Sequence, residues 1–255
     1  MKIKISIIVA TYNAQKYLQN CLDSIIPQLN ESIELIIIDG GSKDETINII
    51  KSNQQHISCF VTEPDKGIYD AWNKGIQKAT ADWIMFLGSD DVLLPNALHS
   101  YMEMIRNCED EISIISSKVR VVTFSGKQIK IIGEKWDWHK YKTGTYSLAH
   151  PGMLHKKILF EKYGYYDIQF RICSDSEFFL RTGKYLKGAF VDAISVNMQE
   201  GGMSDSYKAI VESYFIRKKN RTIPNYCNCI RFFWRCGIFS ASKIKRKILY
   251  KYGKN

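Results

Sequence analysis

Four short apolar runs, Ile3–Val9, Ile33–Ile38, Ser58–Thr62 and Trp83–Leu87, alternate with three helix-length stretches, Ala14–Ile26, Lys43–Lys51 and Tyr69–Ala79. This alternation limits the fold more than any other feature of the chain. The runs are rich in β-branched and aromatic residues and have the length of strands. Strands that alternate with such helices predict an α/β fold, a mostly parallel sheet covered on both faces and joined by right-handed crossovers. In sheets of this kind a ligand sits outside the carboxyl ends of the strands.

Those four ends read Thr11-Tyr12-Asn13, Asp39-Gly40-Gly41-Ser42-Lys43-Asp44, Glu63-Pro64-Asp65-Lys66-Gly67 and Gly88-Ser89-Asp90-Asp91. All are polar, and together on one rim they predict a binding crevice. Asp90 and Asp91 end the segment Phe86-Leu87-Gly88-Ser89-Asp90-Asp91 that follows an apolar run, so two hard oxygen ligands arrive at the sheet edge. Mg²⁺ or Mn²⁺ held by one or two carboxylates shares its remaining positions with substrate phosphates and water. The same pair would also serve as a capped turn ahead of a helix started by Pro95.

From Pro95 the alternation breaks down. A helix is expected over Pro95–Asn107, strands over Ile112–Phe124 and Gln128–Ile132, helices over Lys156–Tyr163 and Ser174–Thr182, and a last strand over Ala189–Val196. Residues 1–210 read as one catalytic domain and 211–255 as a basic amphipathic tail. The chain of 255 residues has a net charge of +10, and no Asp or Glu follows Glu212 whereas 12 Lys and Arg do. The seven cysteines show no paired metal spacing and read as reduced thiols. The N-terminal run is interrupted too early by Thr11-Tyr12-Asn13 for a secretory signal, and no run approaches the roughly 18 apolar residues of a membrane span. A cytoplasmic protein is expected.

Five segments, in this order, resemble the inverting glycosyltransferases of family 2, which have the GT-A nucleotide-sugar-binding fold. They are Ser6–Asn13, Ile38–Asp44, Asp65–Gly75, Phe86–Asp91 and Cys173–Arg181. The resemblance implies a sugar moved from a nucleotide-diphosphate sugar, a UDP-sugar being favoured, to a hydroxyl of a glycan or lipid-linked saccharide in surface polysaccharide synthesis. It implies that Thr11, Tyr12 and Asn13 line the nucleotide pocket. Asp39 would accept from the ring N–H of a uracil-like base, with Gly40 and Gly41 leaving room; its alternative is an N-cap-type turn, which Ser42 and Asp44 can already supply for the next helix. Asp65, Lys66 and Gly67 open a helix whose free N–H groups favour a diphosphate, and Asp70, Asn73 and Lys74 share a face of it. Asp90 and Asp91 would hold Mn²⁺ or Mg²⁺. Asp175 would be the base that deprotonates the acceptor hydroxyl, or alternatively a helix cap.

Two positions depart from the family pattern. Gly88 stands where the first Asp of an Asp-x-Asp motif belongs, and Ser174 where an acidic residue commonly precedes the base. They favour the alternative of a non-catalytic nucleotide-sugar- or glycan-binding protein. A nucleotidyltransferase is a second alternative, but its Gly-rich basic signature after the first strand is absent. Gly201-Gly202-Met203-Ser204 resembles a loop that closes over the donor. His150 reads as structural, and Trp136, Trp138 and Tyr141 read as packing or as an acceptor-stacking surface. In the tail, Arg231–Arg235 and Lys243–Lys251 interleave bases with apolar residues, which suits an anionic membrane surface on the inner face of the cell membrane. No nucleic-acid fold signature accompanies that charge.

Overall fold

The computed structural model describes residues 4–144 and 148–252, with side chains described through residue 244. Ile3, and the side chains of the basic run beyond Ile244, lie outside the described residues. Strands β1 (Ile5–Thr11), β2 (Ile33–Asp39), β3 (Cys59–Thr62) and β4 (Trp83–Gly88) alternate with helices α1 (Leu18–Ile25), α2 (Thr46–Ser52) and α3 (Ile68–Lys78). They pair in parallel in the order β3-β2-β1-β4. Every residue of β1 and β2 is buried. Alternate positions feed two separate cores, Ile5, Ile7 and Val9 into one and Ile8 and Ala10 into the other. A sheet wetted on neither face needs uninterrupted apolar strands, which the sequence supplies.

The remaining elements are β5 (Val92–Leu93), α4 (Ala97–Asn107), β6 (Ile114–Val122), β7 (Gln128–Ile132), α5 (Trp138–Thr143), β8 (Leu154–Lys156), α6 (Ile158–Tyr163), α7 (Ser174–Thr182), β9 (Gly188–Gln199), α8 (Tyr207–Lys219) and α9 (Asn225–Tyr252). They extend the sheet as β4-β8-β6-β9-β5, with β7 on β6. The β4–β8, β6–β8, β6–β7 and β5–β9 pairings are antiparallel, so the sheet is mixed beyond β4. Strands β5 and β8 escape the sequence pattern because two and three residues cannot display a period. Helix α1 starts four residues later than expected. The Ala14 N–H is taken by Thr46 Oγ1 (2.7 Å) and the Gln15 N–H by the Asp44 carboxylate (3.1 Å), which ties this segment to the β2 rim instead.

Helix α8 crosses the expected boundary at 210/211. Its Ile216 is fully buried in the second core and its Arg217 is buried beside it, so α8 packs as part of the body, and α9 packs along α8 through the buried Asn228, which donates to the Tyr214 carbonyl (3.0 Å). All seven cysteines are unpaired. No helix among the described residues is long and apolar enough to cross a membrane.

Candidate active site

The carboxyl ends of β1, β3 and β4 do converge, around a crevice of about 290 Å³. Thr11 and Tyr12 line it from β1, Asp65 and Gly67 from the β3 end, and Ile68 and Ala71 from the first turns of α3. Gly88, Ser89 and Asp90 close the opposite wall, and Met203 reaches in from the loop after β9. Tyr12 and Met203 are 62% and 59% exposed, which makes them lips rather than floor. Thr11 Oγ1 is a buried floor atom with no hydrogen-bond partner.

Several expected contact residues turn out to build the rim rather than face the crevice. Asn13, in the left-handed region at φ 47°, accepts from the Lys43 N–H (2.9 Å), and its own N–H donates to Ser42 Oγ (2.8 Å). The Asp39 carboxylate is fully buried and accepts from the Gly41 and Ser42 N–H groups (2.9 Å each), Ser42 Oγ (2.5 Å) and Thr62 Oγ1 (2.7 Å). It therefore organises the β2 turn, and Gly41, at φ 83°, supplies the backbone conformation that turn requires. Gly40 matters for a different reason, since a Cβ there would strike the Asp65 carboxylate.

The start of α3 also differs from expectation. The Lys66 N–H donates to Asp70 (2.9 Å) and the Gly67 N–H to Asp65 (2.8 Å), so neither is free for a phosphate. Lys74 pairs with Glu63 (2.9 Å) and the Pro64 carbonyl (2.9 Å). Asn73 makes a two-way contact with the backbone of Tyr166, donating to its carbonyl (2.9 Å) and accepting from its N–H (3.0 Å). Asp70 and Lys74 therefore both brace the 63–66 segment, while Asn73 reaches the loop at Tyr166. Lys66 keeps an exposed side chain between the two lining residues Asp65 and Gly67.

The two adjacent aspartates part company. Asp90 is exposed on the crevice wall. Asp91 is buried and accepts from the Gly88 N–H (2.8 Å); burial and then the Asp90 charge push its carboxyl up to about 8. As a paired metal chelate Asp90 and Asp91 are thus corrected to one facing carboxylate backed by one internal carboxyl. Among the described residues no group of three His, Cys, Asp or Glu side chains forms a metal cage. A single carboxylate nevertheless fits Mg²⁺ or Mn²⁺ that completes its shell with phosphate oxygens and water. The charge of the crevice favours that arrangement, because its walls carry Asp65 and Asp90 and a diphosphate entering between them meets like charge.

Asp175 stands in the first turn of α7, half-buried, and accepts from Tyr69 Oη (3.0 Å) and the Ser176 N–H (2.7 Å). Burial raises its carboxyl above the usual range, and the two hydrogen bonds offset part of that rise. The first turn of α3 joins the two halves of the site, Ile68 lining the crevice and Tyr69 holding Asp175.

One positioning residue carries no sequence signal. Glu212 of α8 accepts from three successive N–H groups, Arg171 (3.0 Å), Ile172 (2.9 Å) and Cys173 (3.0 Å), immediately before α7. Its partners are backbone atoms, which no residue pattern advertises. His150 is buried in an aromatic cluster, stacked on Trp72 at 4.9 Å between ring centroids and bonded to Tyr166 Oη (3.1 Å); burial pulls its imidazole down to about 3. Trp136 donates to the Leu186 carbonyl (3.1 Å) and packs on Tyr141 and Phe179, so it serves as core.

The chain matches the family model described as Glycosyl transferase family 2 over residues 6–175. It is 27% identical over 219 residues to a PGL/p-HBAD biosynthesis glycosyltransferase of Mycobacterium bovis, covering 84% of this chain and 82% of that protein. Among solved structures, the 1–349 portion of S. aureus TarS in complex with UDP-GlcNAc superposes with a TM-score of 0.71 at 16% identity, covering 89% of this chain and 69% of that one. The chain spans 39% of the longer TarS structure. Mannosyltransferase PcManGT from Pyrobaculum calidifontis, in complex with GDP-Man and Mn²⁺, superposes at 0.65 with 12% identity, covering 99% and 81%. These structures share the GT-A fold with it. From its matched segments and its fold, the chain belongs to glycosyl transferase family 2.

Proposed function

We propose that this protein is an inverting glycosyltransferase that moves a sugar from a nucleotide-diphosphate sugar, a UDP-sugar being favoured, to a hydroxyl of a glycan or lipid-linked saccharide in surface polysaccharide synthesis. The observation that carries this is the shared first turn of α3, which sets a crevice walled by Asp65 and Asp90 beside a carboxylate whose proton affinity is raised. A base of raised affinity, held by Tyr69 and the Ser176 N–H, is suited to take the proton of an acceptor hydroxyl as that oxygen attacks the anomeric carbon. The nucleotide diphosphate then leaves from the opposite face of the sugar, so one displacement inverts the configuration and no covalent sugar–enzyme bond is needed.

Thr11, Tyr12, Asp65 and Gly67 would bound the nucleotide and Met203 would close over it. Asp39, Asn13 and Gly41 hold the turn against which the base rests, and Asp70 and Asn73 fix the helix start and the loop behind it. Lys66 is the cation available at that lip. Asp90 would ligate Mn²⁺ or Mg²⁺, which when bound neutralises charge on the diphosphate. The exposed face of α9 would rest on the anionic inner surface of the membrane, where a lipid-linked acceptor is found.

Calorimetry with UDP and GDP, each with and without Mn²⁺, tests the donor site, and Asp175→Asn tests the base. We expect UDP to bind more tightly with Mn²⁺, and Asp175→Asn to retain that binding while turnover with a UDP-sugar falls by about 10²–10⁴. Folded protein that binds neither nucleotide would overturn the donor assignment. An Asp175→Asn variant with full turnover would remove Asp175 from the chemistry.

A further inference from the structure

Asp39, to which the family resemblance gives the reading of the base, is closed to a ligand. It is fully buried and its carboxylate is taken by Gly41, Ser42 and Thr62. Asp65, at the end of β3, is half-buried and lines the crevice. Its Oδ1 accepts from the Gly67 N–H (2.8 Å). Among the described residues its Oδ2 has no hydrogen bond, and none of the ion pairs involves it.

Three further groups meet Asp65 Oδ2 at this end of the crevice. The Gly40 N–H donates to the Thr11 carbonyl (2.9 Å), which draws the β1 and β2 ends together. A Cβ on Gly40 would strike Asp65 Oδ2 and lie 3.3 Å from Tyr12 Cδ2, so the bare glycine lets the carboxylate and the ring approach one point. The Tyr12 ring is exposed, an open face on which a planar base can stack. Thr11 is 4% exposed, and its Oγ1 on the crevice floor is a buried hydroxyl without a partner. Buried polar groups are nearly always hydrogen-bonded, so one left open beside a crevice points to a ligand.

An ionised carboxylate can only accept hydrogen bonds. With Oδ1 given to Gly67, Asp65 offers one oxygen and so addresses one N–H. Uracil presents a single ring N–H, at N3, flanked by two carbonyls, one of which can take the Thr11 hydroxyl proton. Guanine presents N1–H beside an amino group, a pair that calls for both oxygens of a carboxylate. Cytosine and adenine present a bare ring nitrogen there, an acceptor that would face Asp65 Oδ2 with like polarity. The opposite wall, with Ser89 and Asp90, is left to the diphosphate and its metal.

We propose that Asp65 Oδ2 reads the N3–H of a uracil base stacked on Tyr12, with Thr11 Oγ1 on a flanking carbonyl, and that this contact selects uridine diphosphate donors. This rests on the transferase reading above and names the residue that chooses its base. Selection moves from the β2 turn, which Asp39 holds together, to the loop between β3 and α3.

The full chain with Mn²⁺ is titrated calorimetrically with UDP, CDP, GDP, inorganic pyrophosphate and 3-methyl-UDP, which lacks the N3–H. We expect the wild type to bind UDP at least about tenfold more tightly than 3-methyl-UDP, CDP or GDP. In Asp65→Asn the amide oxygen stays with the Gly67 N–H and turns the NH₂ group toward the base. The order should therefore reverse to CDP over UDP, with pyrophosphate binding unchanged. In Asp65→Ala, UDP and 3-methyl-UDP should bind alike. Discrimination against 3-methyl-UDP that persists in Asp65→Ala would overturn the assignment and give the base to another group. Equal binding of UDP and 3-methyl-UDP to the wild type, or tighter binding of GDP than of UDP, would overturn it with no variant needed, so a misfolded variant does not shield it. Weaker pyrophosphate binding in Asp65→Asn would make Asp65 a metal or phosphate ligand instead. A folded wild type that binds none of the nucleotides would count against the transferase reading itself.

Discussion

At Asp175, burial raises the carboxyl and hydrogen bonds from Tyr69 and Ser176 pull it back down. On the proposed mechanism, activity requires the ionised form and therefore falls as pH drops through this raised value. Tyr69→Phe deletes a bond that favours the ionised form, so the acid limb of kcat/KM should move to higher pH. An unmoved limb would separate Asp175 from the rate profile. Gly88 is the second residue with a readable consequence. A Cβ there would lie 2.9 Å from Asp90 Oδ1 and 3.3 Å from Asp91 Oδ2. Gly88→Asp should therefore crowd three carboxyls together and lower stability by about 1 kcal/mol in EDTA. Added Mn²⁺ should raise its melting temperature more than it raises that of the wild type. Equal responses would show that position 88 does not address the metal. The rim was legible at this scale because strand ends advertise themselves by where the apolar runs stop. The partner of Asn73 was not, since Asn73 is bonded to a residue 93 positions away.

Among the elements, α7 depends on α8. Glu212 collects three N–H groups that the start of α7 and its preceding loop would otherwise present unpaired. Glu212→Gln replaces a charged acceptor with one that offers a single carbonyl oxygen. It should cost about 2 kcal/mol in denaturant unfolding and lower kcat while leaving UDP affinity alone. A variant that loses UDP binding as well would mean that α8 supports the whole crevice rather than its acceptor side. The sequence indicated α7 to the residue, because its apolar spacing is complete within nine positions. It did not indicate that α8 belongs to the body. Composition set the expected boundary at 210/211, whereas Ile216, fully buried in the second core, ties α8 to the body.

Across the whole molecule, the parallel half of the sheet was readable from alternation, and the mixed half was not, because its pairings join segments with no local period. Helix α9 is the third part. Along α9, Tyr226, Ile230, Phe233, Trp234, Ile238 and Ile244 are exposed at helical spacing, with Phe233 at 71%. Replacing Phe233 and Trp234 by Ser should weaken binding to phosphatidylglycerol vesicles at least about tenfold, as expected when side chains worth about 1.5–3 kcal/mol each no longer leave water. UDP affinity should not change. Vesicle binding equal to that of the wild type would release α9 from a membrane role.

The loop that presents Asp175 is fastened by Asn73 of α3 and Glu212 of α8, two helices rather than two strands. On the proposed function, the donor crevice and the acceptor side are joined through α3, by Tyr69 in its first turn and Asn73 in its second. On the proposed assignment, a lineage built on this plan can exchange α8 and α9 and change what it glycosylates, while the strand ends that choose the sugar remain as they were.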